Sequence, residues 1–284
     1  MADQQEQLRT RAKELLESGD IVAFIGWEAG RFENQTTPLI CLAPEDADRL
    51  VFNQYCANNT AKYVQDLKSH GKVGVAVRGC DSRAINRMIE DGQFKREDVY
   101  LIGLPCPQML DRKTGAVFNK CTACRHRNPV TYDELIGDEV EDTPPEDRYG
   151  QATLVESLDR EARQNFFNMA YEKCIRCYAC RDVCPCCTCR TCFVDQRRVG
   201  WQGKQNNLTE NRFYGLIRSF HISDRCIECG ECERVCPMDL PLMALNRELV
   251  KDMNELFGEY ESGMTTENPD ALRNYKTSDL EEFM

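Results

Sequence analysis

Hydrophobic and polar positions alternate with different periods along the chain, and the period changes mark its elements. The opening stretch MADQQEQLRTRAKELLESGD is polar except for Leu8, Ala12, Leu15 and Leu16, which share one face and predict a helix near residues 3–18. The runs IVAFIG (21–26) and PLICLA (38–43) read as strands, and a helix is expected near 59–69. Two further runs, VGVAV (73–77) and VYLIG (99–103), are continuous, apolar and β-branched, the pattern of strands buried on both faces. Between them DSRAINRMIEDG reads as a helix, with Asp81 or Ser82 as N-cap and Gly92 as its stop. Strand, helix and strand make a β-α-β unit, which implies a parallel pair with a right-handed crossover.

Past residue 130 the pattern loses its apolar period. The segment YDELIGDEVEDTPPEDRYG (132–150) is acidic and contains Pro144-Pro145, so it reads as a linker or exposed loop. A helix is expected near 152–171, and another over 240–258 closed by Gly258. The last residues, 259–284, carry seven acidic and two basic side chains. They read as a disordered tail or as an arm that orders on a partner.

The chemistry lies in the cysteines. Cys174, Cys177, Cys180 and Cys184, the last followed by Pro185, have the spacing C-x2-C-x2-C-x3-C-P, and Cys226, Cys229, Cys232, Cys236 and Pro237 repeat it. This is the bacterial ferredoxin signature. Three thiolates on one tight loop cap three irons of a cubane, and the fourth iron takes its ligand from the other run. Cys174, Cys177, Cys180 and Cys236 are therefore expected to hold one 4Fe–4S cluster, and Cys226, Cys229, Cys232 and Cys184 a second. A pair of zinc sites fits poorly, because zinc ligands usually come as separated Cys-x2-Cys pairs. Four cysteines between the runs remain: Cys186, Cys187, Cys189 and Cys192, in CCTCRTC. They are a candidate extra site of unassigned metal, or buried spectators.

The first half has cysteines at the carboxyl ends of both buried strands, Cys80 in RGCD and Cys106 in GLPC, and a Cys121-x2-Cys124 pair in KCTACRHR. Ligands of open α/β sheets gather at such strand ends. Cys80, Cys106, Cys121 and Cys124 are a candidate third site. It would hold a 4Fe–4S cluster or a zinc, the alternative being cysteines in a core. Neither a G-x-G-x-x-G nor a Walker A run occurs. His70, His126 and His221 are scattered and receive no role.

The segment VGVAVRGCDSRAINRMIEDGQFKREDVYLIGLPC, with KCTACRHR and DELIGDE after it, resembles the beta subunits of deazaflavin-reducing hydrogenases and of related formate dehydrogenases. The likeness covers roughly residues 20–140. It implies that Cys106, Cys121 and Cys124 ligate a cluster, with Cys80 the best fourth candidate and Cys56 behind it. It also implies FAD as a further cofactor and electron exchange between a deazaflavin and partner subunits. In that family the ferredoxin part precedes a long flavin domain. Here it follows about 150 residues, so a shortened domain that keeps the cluster and lacks the flavin is the alternative.

Composition narrows the setting. No run of about 18 apolar residues exists, so no membrane-spanning helix is expected, and the N-terminus lacks the apolar core of a secretory signal. A cytoplasmic location follows, where 18 cysteines are metal ligands or redox groups rather than disulfides. The net charge of −11 argues against nucleic acid. Residues 173–204 nevertheless carry a local net charge of +5, which suits clusters of negative charge or an acidic partner.

The expected architecture is an α/β domain (1–145) with a partly parallel sheet, an α+β two-cluster ferredoxin-like domain (150–258) with helical additions, and an acidic tail (259–284). The expected function is an iron–sulfur electron-transfer subunit of a cytoplasmic oxidoreductase, of hydrogenase, formate dehydrogenase or disulfide-reductase type, working with other redox subunits. No acid–base or nucleophile–base set is legible. The alternatives are a flavin-containing reductase acting on a deazaflavin or nicotinamide, and a zinc-stabilised interaction protein.

Overall fold

The computed structural model describes residues 2–142, 144–196, 198–267 and 272. Helix α1 (Ala2–Ser18) forms where the sequence pattern predicts it and buries Leu8, Ala12 and Leu15. Strands β1 (Ala23–Ala29), β2 (Thr36–Cys41), β3 (Val73–Val77), β4 (Val99–Gly103) and β5 (Glu134–Leu135) make one sheet in the order β2-β1-β3-β4-β5. The β1–β2 pair is antiparallel and the other three pairs are parallel, so the sheet is mixed as expected. Alternate residues face opposite layers. Phe24, Trp27, Ala76 and Ile102 pack with α1, whereas Ile25, Val75, Val77 and Leu101 pack with α2 (Gly79–Glu90) through Ala84, Ile85 and Met88.

Four expectations change. The helix near 59–69 is a 3-10 turn, Ala61–Tyr63, followed by a single α turn, Val64–Leu67. The Thr60 hydroxyl, which would have capped it, donates to the Ala76 carbonyl instead (2.9 Å). Helix α2 begins at least three residues early, with extended Arg78 as N-cap in place of Asp81 or Ser82; Asp81 sits in the first turn and accepts the Arg78 N–H at 2.9 Å. Part of the acidic 132–150 stretch is not a loop, because Glu134–Leu135 pairs with β4 and the Asp133 carboxylate accepts the Leu101 N–H at 2.7 Å. The helix near 152–171 is two helices, α3 (Gln151–Glu156) and α4 (Arg160–Glu172). Asp159 caps α4 by accepting the Ala162 N–H at 2.8 Å.

After α4 come the two cysteine runs, with α5 (Leu208–Phe220) between them and α6 (Leu242–Phe257) after them. Gly258, at φ +96°, ends α6 as predicted. The runs share a backbone as well as a spacing. Arg176 and Tyr178 in the first, and Glu228 and Gly230 in the second, are left-handed, with φ between +49° and +63°. Each pair leads into one turn of helix, Ala179–Asp182 or Glu231–Arg234.

The two halves are bound together by buried groups. Ile227, from the second run, lies in the core beneath α2. Lys120 forms an ion pair with Glu231, both almost fully buried. Arg225 meets Asp91 at 3.2 Å, and the Lys62 ammonium donates to the Cys187 carbonyl at 2.6 Å. The first residues of the acidic tail form a strap on α2: Arg83 donates to the Ser262 carbonyl (2.8 Å) and Asn86 to that of Gly263 (3.0 Å). The rest of the tail lies outside the described residues, apart from Leu272.

Candidate iron–sulfur centres

Cys174, Cys177 and Cys180 from the first run and Cys236 from the second line one cavity, the set expected from the motif. Its other walls include Tyr171, Tyr214, Met238 and Leu242. Arg218, on α5, also lines it. Its NH2 group donates to the Cys180 carbonyl at 3.1 Å, while its buried Nε–H has no hydrogen-bond partner. Four thiols, an apolar wall and an unanswered cationic donor fit an anionic cluster.

Cys226, Cys229, Cys232 and Cys184 form a second set, in which Cys184 and Cys232 lie within electrostatic reach of one another and of both Cys226 and Cys229. Burial pushes the Cys226 and Cys232 thiols up to about 12. Cys184 goes the other way: its interaction with the Cys186 and Cys187 side chains holds it well below the usual range. Thiols become ligands by giving their protons up to the metal.

The third set also comes together. Cys80, at the start of α2, Cys106, after β4, and Cys121 and Cys124 line one cavity. The tight loop at β3 is possible because residue 79 is glycine: a Cβ there would stand 2.0 Å from the His126 carbonyl oxygen. Arg78 also lines the cavity and is almost wholly buried. Its Nε donates to Asp81 at 2.6 Å, its NH1 to the Cys56 carbonyl and its NH2 to the Asn58 carbonyl at 2.8 Å, while its guanidinium lies 4.8 Å from the Trp27 ring centre. Burial pushes the Cys106 thiol up to about 11. Cys56 is not in this set. It is fully buried in the core on the α1 side of the sheet, where its thiol donates to the Val51 carbonyl at 3.6 Å.

The four cysteines of CCTCRTC differ in their surroundings. Cys186 is buried and Cys187 half-buried against Cys184; Cys189 is exposed, and Cys192 hydrogen-bonds with Arg181. Among the described residues no three His, Cys, Asp or Glu side chains are set close enough for a single metal ion. The first and third cysteine sets instead line cavities, the arrangement that thiolates capping separate irons would need.

Sequence reading missed the buried charges. Lys120 precedes Cys121, and Glu231 lies between Cys229 and Cys232, so their ion pair joins the third set to the second. Burial opposes the Glu231 charge, but Lys120 and Arg234 outweigh it and hold the carboxyl at about 2. Glu261, from the strap, pairs with His126 and, at 2.5 Å, with Arg125. The available signals were faint: Arg78 and Asp81 at i,i+3, and a glutamate inside a ligand loop.

A family model described as a 4Fe-4S dicluster domain matches residues 170–240, which contain both runs. That segment is similar to a two-cluster iron–sulfur domain. Curated relatives bear out the resemblance read from the sequence. The chain is 40% identical over 90 residues, 31% of its length, to the F420-dependent formate dehydrogenase subunit beta of Methanocaldococcus jannaschii. It is 36% identical over 106 residues, 37% of its length, to the F420-dependent formate dehydrogenase 1 subunit beta of Methanococcus maripaludis. These matches span about a quarter of the relatives, 23% and 26% of their lengths. A chain in the F420-reducing NiFe hydrogenase complex from Methanosarcina barkeri matches at 20% identity and a TM-score of 0.32, covering 38% of this chain and 39% of that one. Beside the dicluster domain, no helix among the described residues is long and apolar enough to cross a membrane.

Proposed function

We propose that this chain is an iron–sulfur relay subunit of a multi-subunit oxidoreductase, with three 4Fe–4S sites in line. The ligands are Cys174, Cys177, Cys180 and Cys236; Cys226, Cys229, Cys232 and Cys184; and Cys80, Cys106, Cys121 and Cys124. A 4Fe–4S cluster, when bound, supplies a one-electron donor and acceptor. One observation carries the reading: Cys229, a ligand of the middle site, lines the same cavity as the four cysteines of the third. Arg218 supports the other link, since it lines the first cavity and its charge is felt by Cys184 and Cys232 of the middle site. The chain's own work is to hold thiols, exclude water and supply buried cations. Arg78, Lys120 and Arg218 offset negative charge that an apolar interior alone would not tolerate. The partners are other redox subunits, and the direction of flow is set by them.

A second reading has one observation in its favour. An open cleft of about 550 Å³, lined among others by Thr36, Tyr55, Arg112, Lys120 and Arg234, is large enough for a flavin and shares Lys120 with the third cavity. Metal and flavin analysis of anaerobically purified protein decides between them. The relay predicts about twelve irons and no flavin, four irons for each cubane. About eight irons would remove the third site, and one flavin per chain would replace the relay by a flavin-containing reductase subunit.

A further inference from the structure

The second cluster site has more thiols than a cubane has irons. Cys184 is expected to supply its fourth ligand from the first run. Cys186, two residues on, is buried and packs against Cys184 and Ile222. Its side chain belongs to the same packed cluster as that of Cys184, and Arg225, whose carbonyl its thiol meets, directly precedes Cys226, another ligand of the same site. Cys187 also contacts Cys184, but it is turned toward Arg218 and Lys62, and its carbonyl is held by the Lys62 ammonium at 2.6 Å. The ligands of a cubane cap different irons, so their sulfurs stand apart across the cluster. Two cysteines packed together, two residues apart, are therefore placed to serve the same corner.

We propose that Cys186 is an alternate fourth ligand of the second cluster, able to take the iron that Cys184 holds. In the protein as described, the Cys186 thiol donates to the Arg225 carbonyl at 3.1 Å. Ligation by Cys186 breaks that hydrogen bond and releases the thiol proton, while Cys184 takes a proton and leaves iron. The exchange trades one thiolate for another, so it needs neither oxidant nor reductant. It also gives part of CCTCRTC a use at an existing site instead of a site of its own. The inference rests on the ligand set proposed above for the second cluster.

The test is iron and sulfide content, with the EPR spectrum of the dithionite-reduced protein, for Cys184→Ala, Cys186→Ala, Cys184→Ala/Cys186→Ala and Cys226→Ala. Cys226→Ala examines the ligand set itself. Loss of about four irons there, one cubane, supports the set, and full retention overturns it. With the set in place, Cys184→Ala is expected to keep its iron and change only the EPR line shape, while the double variant loses about four irons. If Cys184→Ala alone loses as much iron as Cys226→Ala, Cys186 only packs against Cys184, and the inference fails. Cys184→Val is the companion variant, because its side chain fills the space beside Ile222 and keeps the chain folded where alanine does not.

Discussion

Arg218 is the residue through which one charge reaches two cluster sites. It is almost fully buried, lines the first cavity, and acts on thiols of both runs. Adding an electron to a cluster adds negative charge, so a nearby cation favours reduction. Arg218→Gln should therefore make both dicluster potentials more negative, with Arg218→Lys nearer the parent. A tenfold change in a one-electron equilibrium corresponds to about 59 mV, and EPR-monitored redox titration measures it. Unchanged potentials with full iron content would show that the charge is spent on packing. Cys41 and Cys56 mark the other extreme. Both are buried, and burial pushes their thiols up to about 12 and about 11. A raised value means a protonated thiol below it. At pH 8 the Cys41 thiolate is about one part in ten thousand, and neither side chain should react with iodoacetamide until the chain is unfolded. Mass spectrometry of labelled native protein checks this; labelling of either in the native state would contradict it.

At the scale of elements, what was legible followed local pattern. Strands β3 and β4 stand at the predicted residues, because buried β-branched runs leave few alternatives, and the dicluster spacing fixed its loops. Two of the departures have their cause in distant partners. Thr60 serves β3 instead of capping a helix, and Asp133 ties part of an acidic stretch to the sheet. The left-handed residues Arg176, Tyr178 and Glu228 carry no sequence mark, since only Gly230 of the four such positions is a glycine. They hold a conformation that costs roughly 1–2 kcal/mol per residue. Gly79 is the clearest element-scale test. Gly79→Ala drives a Cβ into the His126 carbonyl. It should lower stability by about 1–3 kcal/mol, the usual cost of overpacking, and lower the iron held by Cys80, Cys106, Cys121 and Cys124. Iron analysis with denaturant unfolding reads both effects, and a variant as stable and as iron-rich as the parent would refute the close approach.

For the whole molecule, the ion pair of Lys120 and Glu231 decides whether the halves behave as one. Lys120→Met leaves a buried carboxylate with Arg234 and the Asn59 N–H as its remaining partners. Removing one partner of a buried pair typically costs about 3–5 kcal/mol, so the unfolding midpoint should fall; Lys120→Met/Glu231→Gln should recover part of the loss. A single unfolding transition in the parent that splits in two in Lys120→Met would show the pair to be the coupling. None of this was visible in the sequence, where 111 residues separate the partners and neither stands in a charge pattern.

The strap has a consequence for survival in air. Glu261 grips Arg125 and His126, two residues that line the third cavity, and Ser262 and Gly263 close over α2 beside them. Dioxygen attacks a cubane it can reach, and Arg125 and His126 form part of the wall of the cavity proposed to hold the third one. Glu261→Ala would leave the ligands in place and loosen the cover, so the third site should bleach first when the loaded protein meets air.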